Sequence, residues 1–184
     1  MRELFEMDMR KIKYREEQKF GSMSLYLSMG IIYAIVIVIF IMAIYSQFVL
    51  NEPWGDKPMS NKGLLLAAFL ILLVLLLSAF FLFGSKLVVV ITNNDIHLTF
   101  KPILKNKIIF SRNEISSFEV RKYKPIKEYG GWGIKQGKKT VGKAYNVHGN
   151  LGLQLYLKNG KKVLIGTQRG EAIARAMTKM MENK

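Results

Sequence analysis

Residues 63–85 read GLLLAAFLILLVLLLSAFFLFGS, a run without Asp, Glu, Lys, Arg or His, and Met23 to Leu50 is equally free of them. At about 1.5 Å per helical residue the two runs reach roughly 34 and 42 Å, against a hydrocarbon core of roughly 30 Å. Core helices of soluble proteins rarely extend so far without a charge. The first run is also too long for the apolar part of a signal peptide, begins late and lacks a small-residue cleavage site. The expectation is a membrane α-hairpin, with spans 23–50 and 63–85 joined by an outer loop 51–62. Trp54 of that loop sits where indole rings favour the interface.

Charge distribution orients the hairpin. The formal net charge is +15. Residues 86–184 hold twenty Lys/Arg against six Asp/Glu, while loop 51–62 has only Lys57 and Lys62 against Glu52 and Asp56. The N-terminal flank supplies Arg2, Arg10, Lys11, Lys13, Arg15 and Lys19; the far flank starts with Lys86, Lys101, Lys105 and Lys107. The positive-inside rule then puts both termini in the cytoplasm, as a multi-pass protein of the cell membrane. Neither span contains an ionisable group, so both read as anchors with no conduction path. Ser24 and Ser28, four apart, mark a face that would suit helix packing. Residues 1–22 form a basic lead-in, either an amphipathic helix lying on the membrane through Phe5, Met9, Ile12 and Phe20 or a frayed tail.

After Lys86 the pattern changes to short alternating segments. Leu87–Thr92 and Asp95–Phe100 flank the turn pair Asn93-Asn94, and Lys107–Phe110 precedes a turn at Ser111–Glu114. Ile115–Tyr123 and Lys143–His148 follow. Leu151, Leu153, Leu155 and Leu157 alternate with Gly152, Gln154 and Tyr156, the pattern of a half-buried strand. Asn159-Gly160 is a hairpin signal leading into Lys162–Gly166. Residues 170–182 turn helical, with Ile173, Ala176, Met177, Met180 and Met181 on one face and Arg175, Lys179 and Glu182 on the other.

Seven antiparallel strands closed by an amphipathic helix is the element order of a pleckstrin-homology-like (PH-like) fold, an α+β or all-β domain with a bent sheet or partly open barrel over residues 86–184. Further residues carry a family resemblance: Glu128-Tyr129-Gly130-Gly131-Trp132-Gly133-Ile134, Ala144-Tyr145-Asn146-Val147, Gly149-Asn150, Lys158-Asn159-Gly160-Lys161 and Leu164-Ile165-Gly166-Thr167-Gln168-Arg169. On these the chain resembles an uncharacterised family of prokaryotic membrane proteins that join two transmembrane helices to a bacterial PH-like domain. The resemblance covers the chain from the spans to the end and implies no known reaction. Asn150-Leu151-Gly152 departs from the family form, in which a basic residue follows the Asn.

The candidate site is the basic, aromatic segment 122–143. Lys124, Lys127, Lys135, Lys138, Lys139 and Lys143 surround Tyr129 and Trp132, and Arg169 lies further along. Such a segment docks on anionic lipid headgroups at about 1 kcal/mol per well-placed Lys, or is a solvated connection whose Trp covers the core. Thr167 or Gln168 would cap the last helix, leaving Arg169 to meet a carboxylate or phosphate.

Chemistry is sparse. Gly137-Lys138-Lys139-Thr140 lacks the spacing and strand-to-helix setting of a phosphate-binding loop. There is no cysteine, His97 and His148 occupy separate strands, and the six carboxylates of residues 86–184 are scattered, so no metal site, cofactor or acid/base pair is expected. An enzymatic reading would need Tyr145, His148 and Arg169 around one pocket. Specific nucleic-acid recognition is not expected either, since neither aromatic-ridged strands nor a helix-turn-helix is present. The expectation is a non-enzymatic, membrane-anchored interaction module that engages anionic lipid, a protein partner or another copy of itself. The alternative is a small accessory subunit of a larger membrane complex, recognised through its spans.

Overall fold

The computed structural model describes residues 12–21, 23–138 and 140–182. The chain divides into two compact units, one of residues 21–83 and one combining the residues up to Phe20 with those from Gly84 onward.

The first unit is the hairpin. Helix α1 (Met23–Tyr45) continues through a π-helical turn, Ser46–Leu50, and α2 spans Asn61–Gly84. Both are long and apolar enough to cross a membrane, and only 6% of either apolar window is buried within the protein. Their apolar side chains are therefore largely uncovered by the rest of the chain. The π turn ends at Asn51, whose left-handed backbone (φ 57°) Asn tolerates better than most residues. The Ser46 hydroxyl then donates to the Glu52 carbonyl at 2.9 Å, and Gln47 Nε2 donates to Met59 O and Asn61 Oδ1, closing the turn. Packing between the helices uses Tyr33, whose hydroxyl meets Ser78 Oγ at 2.6 Å, and a stacked Tyr26–Phe83 pair. The Ser28 hydroxyl donates back to Leu25 O on its own helix.

In the second unit two open sheets share a core. The first has the order β1-β2-β3-β4, from β1 (Tyr14–Lys19), β2 (Lys86–Ile91), β3 (Asp95–Lys101) and β4 (Ile108–Ser111). The second has the order β5-β8-β9-β7-β6, from β5 (Ile115–Lys122), β6 (Gly133–Gln136), β7 (Lys143–Asn146), β8 (Leu151–Leu157) and β9 (Lys162–Gly166). The sheets do not close into a barrel. Pairing is antiparallel except between β7 and β9, which run parallel. Helix α4 (Gly170–Glu182) packs Ile173, Ala176, Met177 and Met180 onto strands of both sheets. They join Leu87, Val89, Ile91, Leu98, Phe100, Leu153 and Ile165 in one buried cluster.

Strand β1 corrects the expected lead-in. Residues 14–19 are neither an amphipathic helix nor a tail, but the edge strand of the first sheet, paired antiparallel with β2 from Tyr14↔Ile91 to Lys19↔Lys86. The hairpin is therefore inserted between two neighbouring strands of one domain, and the domain does not begin at residue 86. The inward face of β1 is Tyr14, Glu16 and Gln18, all buried, so no apolar period-two pattern announces it. Residues 1–11, with Phe5 and Met9, lie outside the described residues.

Three further differences concern the second sheet. Segment 122–143 is not one loop: it holds a short helix α3 (Pro125–Tyr129) and the strand β6. Strand β8 is buried on both faces at its centre, with Gly152 and Gln154 covered as well as Leu153 and Leu155. One face joins the main core; the other side of the sheet meets a second cluster of Tyr123, Tyr129, Ala144 and Leu164. Strand β7 ends at Asn146, leaving His148 in the following turn.

Candidate functional site

Local chemistry explains α3. Pro125 stands at its first position, where a missing N–H costs nothing, and Gly130 closes it in the left-handed conformation (φ 73°) that an L side chain resists. Glu128 fastens the helix down. Its Oε1 accepts the Lys124 N–H at 2.7 Å and its Oε2 the Arg121 Nη2 at 2.8 Å. The hydrogen bond from Arg121 holds the Glu128 carboxyl below the usual carboxylate range, against an opposing effect of burial.

The expected site residues separate on this frame. Tyr129 is buried, edge-on to Tyr123 with ring centroids 5.9 Å apart, and its hydroxyl donates to Val141 O. It is a core residue, so no ligand reaches its ring. Trp132 is 38% exposed and its Nε1 donates to Gly149 O at 2.9 Å, so the indole is fixed with part of one surface open. Lys124 and Lys127 are exposed and flank Ile126, which is 70% exposed. Sequence reasoning missed Ile126; an isoleucine between two lysines on one helical turn was the available signal.

Lys135 is half-buried on β6 and Lys138 exposed in the β6–β7 turn, while Lys139 lies outside the described residues. That turn needs Gly142 (φ 79°), because a Cβ there would collide with the Lys162 carbonyl. Gly137, Lys138 and Thr140 thus belong to the connection between the antiparallel strands β6 and β7. Lys143 lies over the Tyr145 ring at 5.1 Å.

Arg169 belongs to a different place, a recess of about 330 Å³ between β1 and α4. Tyr145 packs in the main core, and neither it nor His148 lines that recess, so the trio an enzyme would need is not assembled there. The cap at α4 also differs from expectation. Arg169 O accepts the first helical N–H, from Ile173, and Thr167 Oγ1 accepts the Arg169 N–H at 3.0 Å. Thr167 braces the residue before the helix, while the Gln168 side chain donates to His148 O.

Beneath this junction lies Glu16, 5% exposed. Its Oε2 accepts the Tyr14 hydroxyl and, at 2.7 Å, the Thr167 hydroxyl; its Oε1 accepts the Gln168 N–H at 2.8 Å. Burial, then the Glu16 contact, pushes the Tyr14 phenol well above its ordinary range, so it remains a donor. Gln18 adds a bond to Gly166 O at 2.8 Å. Together these clamp the strand before the hairpin to the start of the last helix.

Register produces a second basic feature unseen in the sequence. Lys19 pairs with Lys86 and Lys86 with Lys101, so three exposed lysines stand side by side at the end where β1 and β2 lead into the hairpin. Like charges directly opposite one another are unfavourable. Glu17 forms an ion pair with Lys86 at 3.0 Å. The β3–β4 connection continues the theme with Lys105, Lys107 and Ile103, which is 46% exposed.

No grouping of three or more His, Asp or Glu suited to a metal occurs among the described residues. No protein-family model matches the chain, and no curated protein is significantly similar to it.

Proposed function

We propose that this chain is a non-enzymatic, membrane-anchored interaction module of the prokaryotic cell membrane, with both termini cytoplasmic and a PH-like domain that engages anionic lipid headgroups of its own leaflet. The observation that carries this reading is the row Lys19, Lys86 and Lys101. Three residues separate Lys19 from α1 and one separates Lys86 from α2, so the chain itself keeps these lysines within about 14 Å of the ends of the apolar helices. β1–β2 pairing also requires both ends of the hairpin to emerge on one side, in agreement with two full crossings. The PH-like assignment is supported by two open sheets and a C-terminal helix packed on both, although β1 and β6 exceed the seven expected strands.

Docking would add Lys124, Ile126, Lys127 and Trp132, cations around exposed apolar surface that suits the headgroup boundary. The full chain carrying Trp54→Phe, in nanodiscs with quencher-labelled lipid, tests this through Trp132 fluorescence. Trp132 should be quenched in phosphatidylglycerol discs and much less in phosphatidylcholine discs. Lys124→Gln with Lys127→Gln should shift the docked population about 30-fold, from about 1 kcal/mol per lysine. Quenching indifferent to lipid charge would sink the lipid reading.

The second reading, an accessory subunit or homo-oligomer recognised through the spans, rests on an apolar recess of about 160 Å³ between α1 and α2, lined by Val36, Phe40, Ala68 and Leu72 among others. A stoichiometric partner that co-purifies with the full chain, and is lost on Ala68→Phe, would favour it.

A further inference from the structure

We infer that the recess between β1 and α4 is a binding site for a compact anion bearing two or more phosphate groups, separate from any surface that meets the leaflet. Five cationic side chains line it, Lys13, Arg15, Arg169, Arg175 and Lys179, together with the Tyr14 ring and the small residues Ala172 and Ala176. They come from opposite ends of the sequence. Lys13 extends β1 by donating its N–H to Ile91 O, and it projects on the same strand face as Arg15, two residues on. Arg169 stands immediately before α4, and on the helix the pairs Ala172/Arg175, Ala172/Ala176, Arg175/Lys179 and Ala176/Lys179 are three or four residues apart, on neighbouring positions of one side. The alanines leave the space; the cations form its walls.

Among the described residues, the neighbouring carboxylates are engaged by other groups or hold the cluster only weakly. Glu16 is buried beneath the recess and held by Tyr14, Thr167 and Gln168. Glu17 is engaged by Lys86. Glu171 meets Arg175 at 3.5 Å, but both side chains are largely exposed, at 93% and 70%, where such pairs hold weakly.

One cation is positioned in advance. The Arg169 guanidinium lies 5.5 Å from the centroid of the Tyr14 ring and its Nη1 donates to Arg15 O at 3.4 Å. Tyr14 is itself held by the Glu16 network, so an arginine fork is presented from a rigid base, a geometry suited to phosphate oxygens. The volume admits more than a single phosphate, and the spread of five cations over two elements suits an anion with several charges. Arg15 lies four strand residues, about 13 Å, from Lys19, so the recess and the lysine row are distinct. The same phosphate chemistry occurs in soluble metabolites and in lipid headgroups, and the two sources are separable.

The test uses the full chain in phosphatidylcholine nanodiscs at about 0.15 M salt, titrated calorimetrically with inorganic pyrophosphate. One saturable site is expected, with affinity falling at least tenfold on Arg175→Glu or Lys179→Glu. Both side chains are exposed, so thermal unfolding of these variants should match that of the parent. Lys124→Glu with Lys127→Glu should leave pyrophosphate affinity within twofold, which separates this site from the proposed leaflet contact. Discs containing phosphatidic acid discriminate the source: unchanged pyrophosphate affinity assigns the site to a soluble ligand, and competition would place the recess against the leaflet and overturn its separation from the lipid-facing surface. Absence of saturable binding, or equal loss in the α3 variants, would overturn the inference.

Discussion

Two basic regions of this domain have similar composition and opposite construction. On and after α3 the lysines are dense in sequence but dispersed in space, with Tyr129 drawn into the core and Lys143 resting over Tyr145. Between β1 and α4 the cations are sparse in sequence, separated by two long apolar helices, yet they converge on one recess above a buried hydrogen-bond network. The dispersed lysines fit the proposed contact with an extended anionic surface, and the convergent cations fit the inferred site for a discrete anion.

The strongest way to break this comparison is to remove the base of the recess while sparing α3. Glu16→Ala would leave the Tyr14 and Thr167 hydroxyls and the Gln168 N–H without their buried acceptor, at an expected cost of about 3 kcal/mol. Thermal unfolding of the full chain should show it, and hydrogen exchange should rise along β1 and at 167–169 more than along α3. A uniform rise, or none, would mean that Glu16 does not hold the two ends together.

Ile126→Ser sharpens the other side of the comparison. With Ile126 70% exposed, unfolding stability should change by less than about 0.5 kcal/mol. Trp132 quenching by anionic discs should nevertheless fall severalfold, because the apolar contact with the headgroup boundary is lost.

Glu128→Gln should cost only about 0.5–1 kcal/mol of stability, since the Arg121 pair is partly solvated. Its pH signature is specific. The Glu128 pKa is lower folded than unfolded, so in acid the unfolded chain takes up the proton first and stability declines. The contribution is therefore complete at neutral pH and lost as the pH falls through the depressed folded value. The variant should flatten that acid limb of the stability profile.

Legibility in the sequence followed the physics of each element. β2, β3, β5, β8, β9 and α4 were readable because apolar periodicity and the Asn159-Gly160 turn act locally. β1 was hidden because its inward face is Tyr14, Glu16 and Gln18, residues stabilised by partners about 150 positions away. α3 and β6 were obscured by lysines and glycines that resemble a loop. Lys124, Lys127 and Trp132 were found as surface residues, whereas the recess around Arg169 depends on a pairing that no local pattern encodes.

The β1–β2 pairing also sets a schedule for biosynthesis. Residues 20–85 must be made before the partner of β1 exists, which at about 5–20 residues per second is roughly 3–13 s of translation. For that interval β1 waits without its partner strand, and on the proposed reading the two spans enter the bilayer during it. The run Arg15-Glu16-Glu17-Gln18-Lys19 is suited to waiting, since a charged strand neither aggregates nor follows the spans into lipid. If the hairpin crosses the bilayer twice, as proposed, a chain whose second span failed to cross would leave β1 on the opposite side of the membrane from β2.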